Sequence, residues 1–168
     1  IGVDAAEFEK VSQENFIPPD RSGSSFTLTQ VKTHEALILF DTGMVPDNNR
    51  ASLAAAGYTP QDVTHIVLTH MHPDHITGLM AGGAQNFPNA ALIFPKAEND
   101  HWSANPSEAY TANVAPLAAN ARQIADGEEI LPGIKAEGAY GHTPGHTTYL
   151  LESEGQRLLI TGDTFNHY

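Results

Sequence analysis

The run "VTHIVLTHMHPDH", residues 63–75, constrains this chain more than any other stretch. Its first part is apolar and rich in β-branched residues, and it reads as a buried strand. It ends in His70, His72, Asp74 and His75, with Pro73 placed to stop the strand and open a helix, because proline is well tolerated at a first helical position. Two imidazoles spaced i, i+2 at a frayed strand end can share one side. Asp74 and His75 then fall in the first helical turn and approach from another direction. Packing has no use for four polar groups clustered behind an apolar strand. Imidazole nitrogen with carboxylate oxygen is a donor set for zinc, and also for iron or manganese. Four such groups exceed what one ion takes from one tight loop, so two neighbouring ions sharing it would explain the surplus.

The elements around this loop follow from pattern and punctuation. "AAEFEKV" reads as a short helix before "IPPD" and "SGSS" break it. "FTLTQV" and "ALILFD" read as a hairpin joined through residues 32–35, ending in "DTG". "NNRASLAAAG" is a helix that Asn48 or Asn49 can cap and Gly57 can stop. "ALIFP" is another strand, and residues 96–125 hold helical pieces broken by Pro106 and Pro116. "GIKAEGAY", "TTYLLES" and "RLLITGD" are further strands, with "EGQ" as the turn between the last two. The order points to a mixed α/β or α+β sandwich.

Two more constellations follow the first. "YGHTPGHTTYLL" places His142 and His146 in a glycine-rich turn before a strand, and "LLITGDTF" ends an apolar strand on Asp163. Taken singly each has an ordinary structural reading. His34, His65, His101 and His167 stand alone and read as surface or core residues. Trp102, Tyr110 and Phe165 read as ordinary packing in preference to the lining of an apolar pocket.

In this order, "LFDTG", "THMHPDH", "GHTPGH" and "TGD" resemble the metallo-β-lactamase superfamily over most of the chain, from Phe26 to Asp163. The resemblance implies an αββα sandwich with metals at strand ends along one edge. It implies that His70 and His72 bind one metal together with His142, the first histidine of an H-[S/T]-x-G-H pattern. Asp74 and His75 would bind the second metal, and Asp163 would bridge the two. His146 would orient its loop by hydrogen bonding, and Asp41 would support a ligand histidine. Two zinc ions are expected, with iron or manganese as other occupants. Members of the family carry one more histidine, well downstream of the bridging aspartate. Only five residues follow Asp163, and His167 is too near to match. The expectation is therefore a single domain over 1–168, incomplete at the C-terminus, with incompleteness at the N-terminus left open.

The function implied is a metal-dependent hydrolase. Water held between two ions, its pKa lowered toward about 7, would attack a lactone, aryl ester or phosphotriester, with Asp74 shuttling the proton. The "GHTPGHTTYLLES" segment looks most like the lactonase and organophosphate-hydrolase branch. The alternatives are a glyoxalase II-like thioesterase, a mononuclear iron sulfur dioxygenase, and a non-catalytic metal-binding member of the fold. No G-x-S-x-G or G-x-x-x-x-G-K-[S/T] pattern competes with this reading.

Composition narrows the partners. A net charge of −12 with 8 Lys+Arg disfavours nucleic acid, and no apolar run approaches a membrane span. A small-molecule substrate is expected, and a homodimer is left open. With no cysteine, thiolate and disulfide chemistry are excluded. Ile1 at the start leaves a trimmed precursor or a fragment open. The compartment is unread, with a soluble bacterial protein of the cytoplasm or periplasm as the expectation.

Overall fold

The computed structural model describes residues 4–20 and 28–165. The start of the expected first strand at Phe26, the "SGSS" break and His167 lie outside the described residues. Helix α1 (Ala5–Glu14) opens on Asp4, whose side chain accepts the Ala6 N–H at 2.8 Å, a standard way to satisfy a free helix-start donor.

The first sheet is built from β1 (Thr29–Lys32), β2 (Leu37–Phe40), β3 (His65–Val67), β6 (Ala91–Pro95) and β7 (Arg122–Ile124), in that spatial order. β1 and β2 form the expected antiparallel hairpin, and the other three strands add in parallel. A small hairpin, β4 (Met80–Ala81) with β5 (Ala84–Gln85), sits between β3 and β6 in the chain. The parallel connections require crossovers. These are α2 (Pro46–Ala55), the short α3 (Pro73–Ile76), and the pair α4 (Lys96–Ala104) and α5 (Glu108–Asn113).

Strand alternation divides the core into two clusters. Leu37, Leu39, Ile66, Leu68, Leu92 and Phe94 join Leu53, Ile76, Tyr110 and Val114 from the helical segments. Ile38, Phe40, Val67, Ile93 and Ile124 point the other way and meet Ile130, Ile134, Tyr149 and Ile160. The period of two sends successive side chains to opposite faces, so the first sheet is covered on both.

The covering layer is a second, antiparallel sheet in the order β11-β10-β9-β8. Its strands are β8 (Glu129–Leu131), β9 (Ile134–Gly138), β10 (Thr147–Ser153) and β11 (Gln156–Ile160). The expected "EGQ" turn is a two-residue loop, Glu154 and Gly155, both at positive φ, with Gln156 already paired to Ser153. That geometry suits the twist of a tight hairpin. The result is the layered α/β sandwich that the pattern pointed to.

Two local readings are corrected. Helix α2 begins at Pro46, not at Asn48 or Asn49. Proline at the first position fixes φ for the helix, and Asn49 is buried inside it, donating to the Thr42 carbonyl at 2.6 Å. Residues 122–124, placed within the helical region, form β7. This edge strand pairs with β6 alone, and its two polar residues are exposed, so it carries almost no strand pattern.

Candidate metal centre

Every candidate residue lies on a connection at the carboxyl ends of β2, β3 and β11, or just before β10. Asp41 follows β2 at φ +61, a left-handed conformation that aspartate tolerates better than most residues. Its Oδ1 accepts the Thr69 N–H and its Oδ2 accepts the Thr69 hydroxyl, both at 2.8 Å. The same Oδ2 lies 2.9 Å from His75 Nδ1. Asp41 thus ties the end of β3 to the start of α3.

His70 is fully buried, with Nδ1 3.0 Å from Thr69 Oγ1. The Thr69 hydroxyl hydrogen already goes to Asp41, so His70 donates from Nδ1 and its Nε2 carries the free lone pair. That Nε2 is buried with no hydrogen-bond partner. A polar atom in that state is expensive unless something outside the side-chain network meets it. Burial, then the neighbouring His75, His146, His72 and His142, push the His70 pKa down. This holds the ring in the neutral form that a metal needs.

Around that nitrogen the donors fall into two sets, each with ligand atoms within 4.8 Å of one another. One is His70, His72 and His142, and the other is His70, His75 and Asp163. His72 Nδ1 and His142 Nε2 are 3.0 Å apart. Burial and the nearby His142 lower the His72 pKa against the pull of Asp74 and Glu98. On the other side, His75 Nε2 stands 3.4 Å from Asp163 Oδ1 and 3.5 Å from Asp74 Oδ2. Burial would lower the His75 pKa, but the Asp41 hydrogen bond and charge, with Asp163 and Asp74, outweigh it and raise it to about 8. Asp163 faces both sets, its other oxygen lying 3.5 Å from His142 Nε2. Asp74 belongs to neither set of three and reaches the cluster through His75. Its side chain is partly exposed, as are those of Asp163 and His142.

His146 is fully buried and outside both sets. Its Nε2 accepts the backbone N–H of Asp163 at 3.0 Å, which fixes where the Asp163 carboxylate starts. Gly162, at φ +51, passes so near that a Cβ there would sit 2.7 Å from His146 Nε2. His34, His65 and His101 stand outside the cluster. Trp102 and Tyr110 pack into or against the helix-side core, and Phe165 is exposed.

Glu98, in the first turn of α4, is a feature of the site that sequence reasoning missed. It is completely buried, and its carboxylate accepts four hydrogen bonds: Met71 N–H, the Trp102 indole, the Thr143 hydroxyl and Gly145 N–H. Its only sequence signal is an acidic residue shortly after an apolar strand, which usually means a solvated helix start.

With this geometry in view, the sequence profile described as "Metallo-beta-lactamase superfamily" matches residues 19–167. The chain belongs to that superfamily. Among curated members, it is 35% identical over 102 residues to an N-acyl homoserine lactonase of Bacillus sp, covering 61% of this chain and 38% of that protein. An N-acyl homoserine lactonase of Bacillus cereus is 32% identical over 108 residues, covering 64% and 40%. The chain therefore spans about two fifths of the length of these relatives. Among solved structures, hydrolase AbOPH superposes with a TM-score of 0.81 at 26% identity, covering 96% of this chain and 64% of that one. AidC, a dizinc quorum-quenching lactonase solved with a product, N-hexnoyl-L-homoserine, gives 0.78 at 28%, covering 94% and 62%. The superfamily fold thus accounts for the layered sandwich. No described helix is long and apolar enough to cross a membrane.

Proposed function

We propose that this chain carries the metal-binding part of a hydrolase that opens lactone rings, with an N-acyl homoserine lactone as the substrate class. The observation behind this reading is His70 Nε2, buried, neutral and unpartnered where two donor sets meet. The histidine and carboxylate donors fit a pair of zinc ions. His70, His72 and His142 would hold one, while His75, Asp74 and Asp163 would hold the other, with Asp163 facing both. What such a pair supplies when bound is Lewis acidity toward a carbonyl oxygen and water of lowered pKa.

The protein's own groups do the rest. Asp41 fixes the His75 ring from behind, which sets both its tautomer and its basicity. His146 anchors the Asp163 backbone, so the carboxylate that faces both donor sets starts from one position. Asp74, the carboxylate that stands outside both sets of three donors, takes a proton from the attacking water and passes it to the leaving ring oxygen. Ring opening yields a carboxylate, and the acidic protein, net −12, repels that anion and favours its departure. The lactonase relatives favour a lactone over an aryl ester or a phosphotriester.

The test is metal content together with turnover on an acyl homoserine lactone, an aryl ester and a phosphotriester. Two zinc ions per chain and loss of lactone turnover in His72→Ala and Asp163→Ala are expected. One iron per chain with oxygen consumption would overturn the hydrolase reading. So would full turnover in both variants.

A further inference from the structure

Glu98 is a buried carboxylate whose four partners are all neutral donors. Burying an ionised group is costly, and several hydrogen bonds aimed at it are one of the few ways to keep it charged. Those donors are not scattered. Oε1 accepts the N–H of Met71, the residue between His70 and His72, and the indole of Trp102. Oε2 accepts the hydroxyl of Thr143 and the N–H of Gly145, both between His142 and His146. One oxygen therefore grips the loop after β3, and the other grips the loop before β10. These loops belong to different sheets. Gly145 is suited to the contact, because a Cβ there would overlap the backbone of Ala97 and Glu98.

We propose that Glu98 is a positioning residue of the metal centre, joining the two backbone loops that present His70, His72 and His142 to a single cation. This rests on the metal-binding reading above. His72 Nδ1 and His142 Nε2 face each other at 3.0 Å. At that distance a single N–H···N hydrogen bond or a cation joins the two rings. Either contact ties only the side chains, and the Glu98 carboxylate is the group that ties the backbone loops behind them. A glutamine in its place has one acceptor oxygen and an amide NH₂. Whichever way the amide turns, a backbone N–H of one loop then meets another donor, and that loop is released. Holding ligands in place through groups behind them is worth a large factor in affinity.

The experiment measures zinc affinity by chelator competition and the visible spectrum of the cobalt(II)-loaded intact protein, alongside the melting temperature without metal. Glu98→Gln should bind the first zinc ~10-fold or more weakly and show a changed cobalt spectrum. Thr143→Val, which removes one of the four donors, should weaken binding several-fold in the same direction. Tyr110→Phe, which removes a buried hydrogen bond to Asn99 elsewhere on the helical layer, should lower the melting temperature and leave both metal readouts unchanged. Wild-type affinity and spectrum in Glu98→Gln and Thr143→Val would overturn the proposal, as would equal losses in Tyr110→Phe. If Glu98→Gln does not fold, Thr143→Val decides alone. A wild-type protein that takes up neither zinc nor cobalt sinks the hydrolase reading and this one with it. Metal uptake with indifferent variants overturns only the role of Glu98.

Discussion

The two halves of the candidate centre are each backed by a buried carboxylate, but the carboxylates act on different things. Asp41 touches a ligand ring directly, 2.9 Å from His75 Nδ1. Glu98 touches no ligand side chain; three of its four bonds go to the loops that carry them. The Asp41 half is charged, with Asp74 and Asp163 gathered about His75. The Glu98 half is three imidazoles around one another. One backing group adjusts the charge on a ligand, and the other adjusts where ligands stand.

The largest expected effect removes the buried nitrogen where the two donor sets meet. His70→Ala should lower lactone turnover ~10²- to 10³-fold, the range seen when one electrostatic stabiliser of a transition state is lost, and should deplete the first metal on dialysis. If that metal stays at full occupancy, His70 is not its ligand. Next, Asp41→Asn keeps the shape and tolerates φ +61 but removes the charge. The second metal's affinity should fall ~10- to 100-fold, more than the fall that the Thr69 hydroxyl passes to His70 and the first metal. Competition titrations on the variant read this directly.

A smaller effect tests how rigidly Asp163 is held. Gly162→Ala faces a left-handed backbone and a contact with His146, a combined cost on the order of 1–3 kcal/mol. Its melting temperature should fall, and second-metal affinity should fall with it. The least effect is a proton count. In the metal-free protein His75 titrates at about 8, so it is largely protonated at pH 7. Metal uptake there should release a proton that is no longer released well above pH 8, which calorimetry in buffers of different ionisation heat can measure. The sign for stability follows from the same shift. The His75 contribution is fully present below its ordinary 6.5 and is lost as pH rises through about 8.

The same contrast explains what was legible in the sequence. His70, His72, Asp74 and His75 announce themselves because no packing argument accounts for them in one loop. Asp41 is legible through the "DTG" that closes an apolar strand, and the gathering of His142 and Asp163 beside the first loop matches their motifs. Glu98 is silent, because its role depends on two loops 27 and 45–47 residues away. No local pattern distinguishes it from an exposed helix-start glutamate. The fold shows the same division. The buried strands β2, β3 and β6 are plain from their apolar runs. The edge strand β7 is hidden by the polar Arg122 and Gln123, and the start of α2 by two asparagines that look like caps.

One arrangement has a bearing on synthesis. The donors come from both sheets: His70, His72 and His75 beside β3, and His142 and Asp163 around the β10–β11 hairpin. As a chain emerges N-terminal part first, the first loop is available long before the last two donors exist. On the metal-binding reading, a cation meeting the nascent chain finds only a loose, partial grip until the second sheet docks. Tight retention would then follow the closing of the two sheets, and a chelator added during refolding should prevent retention without slowing that closure.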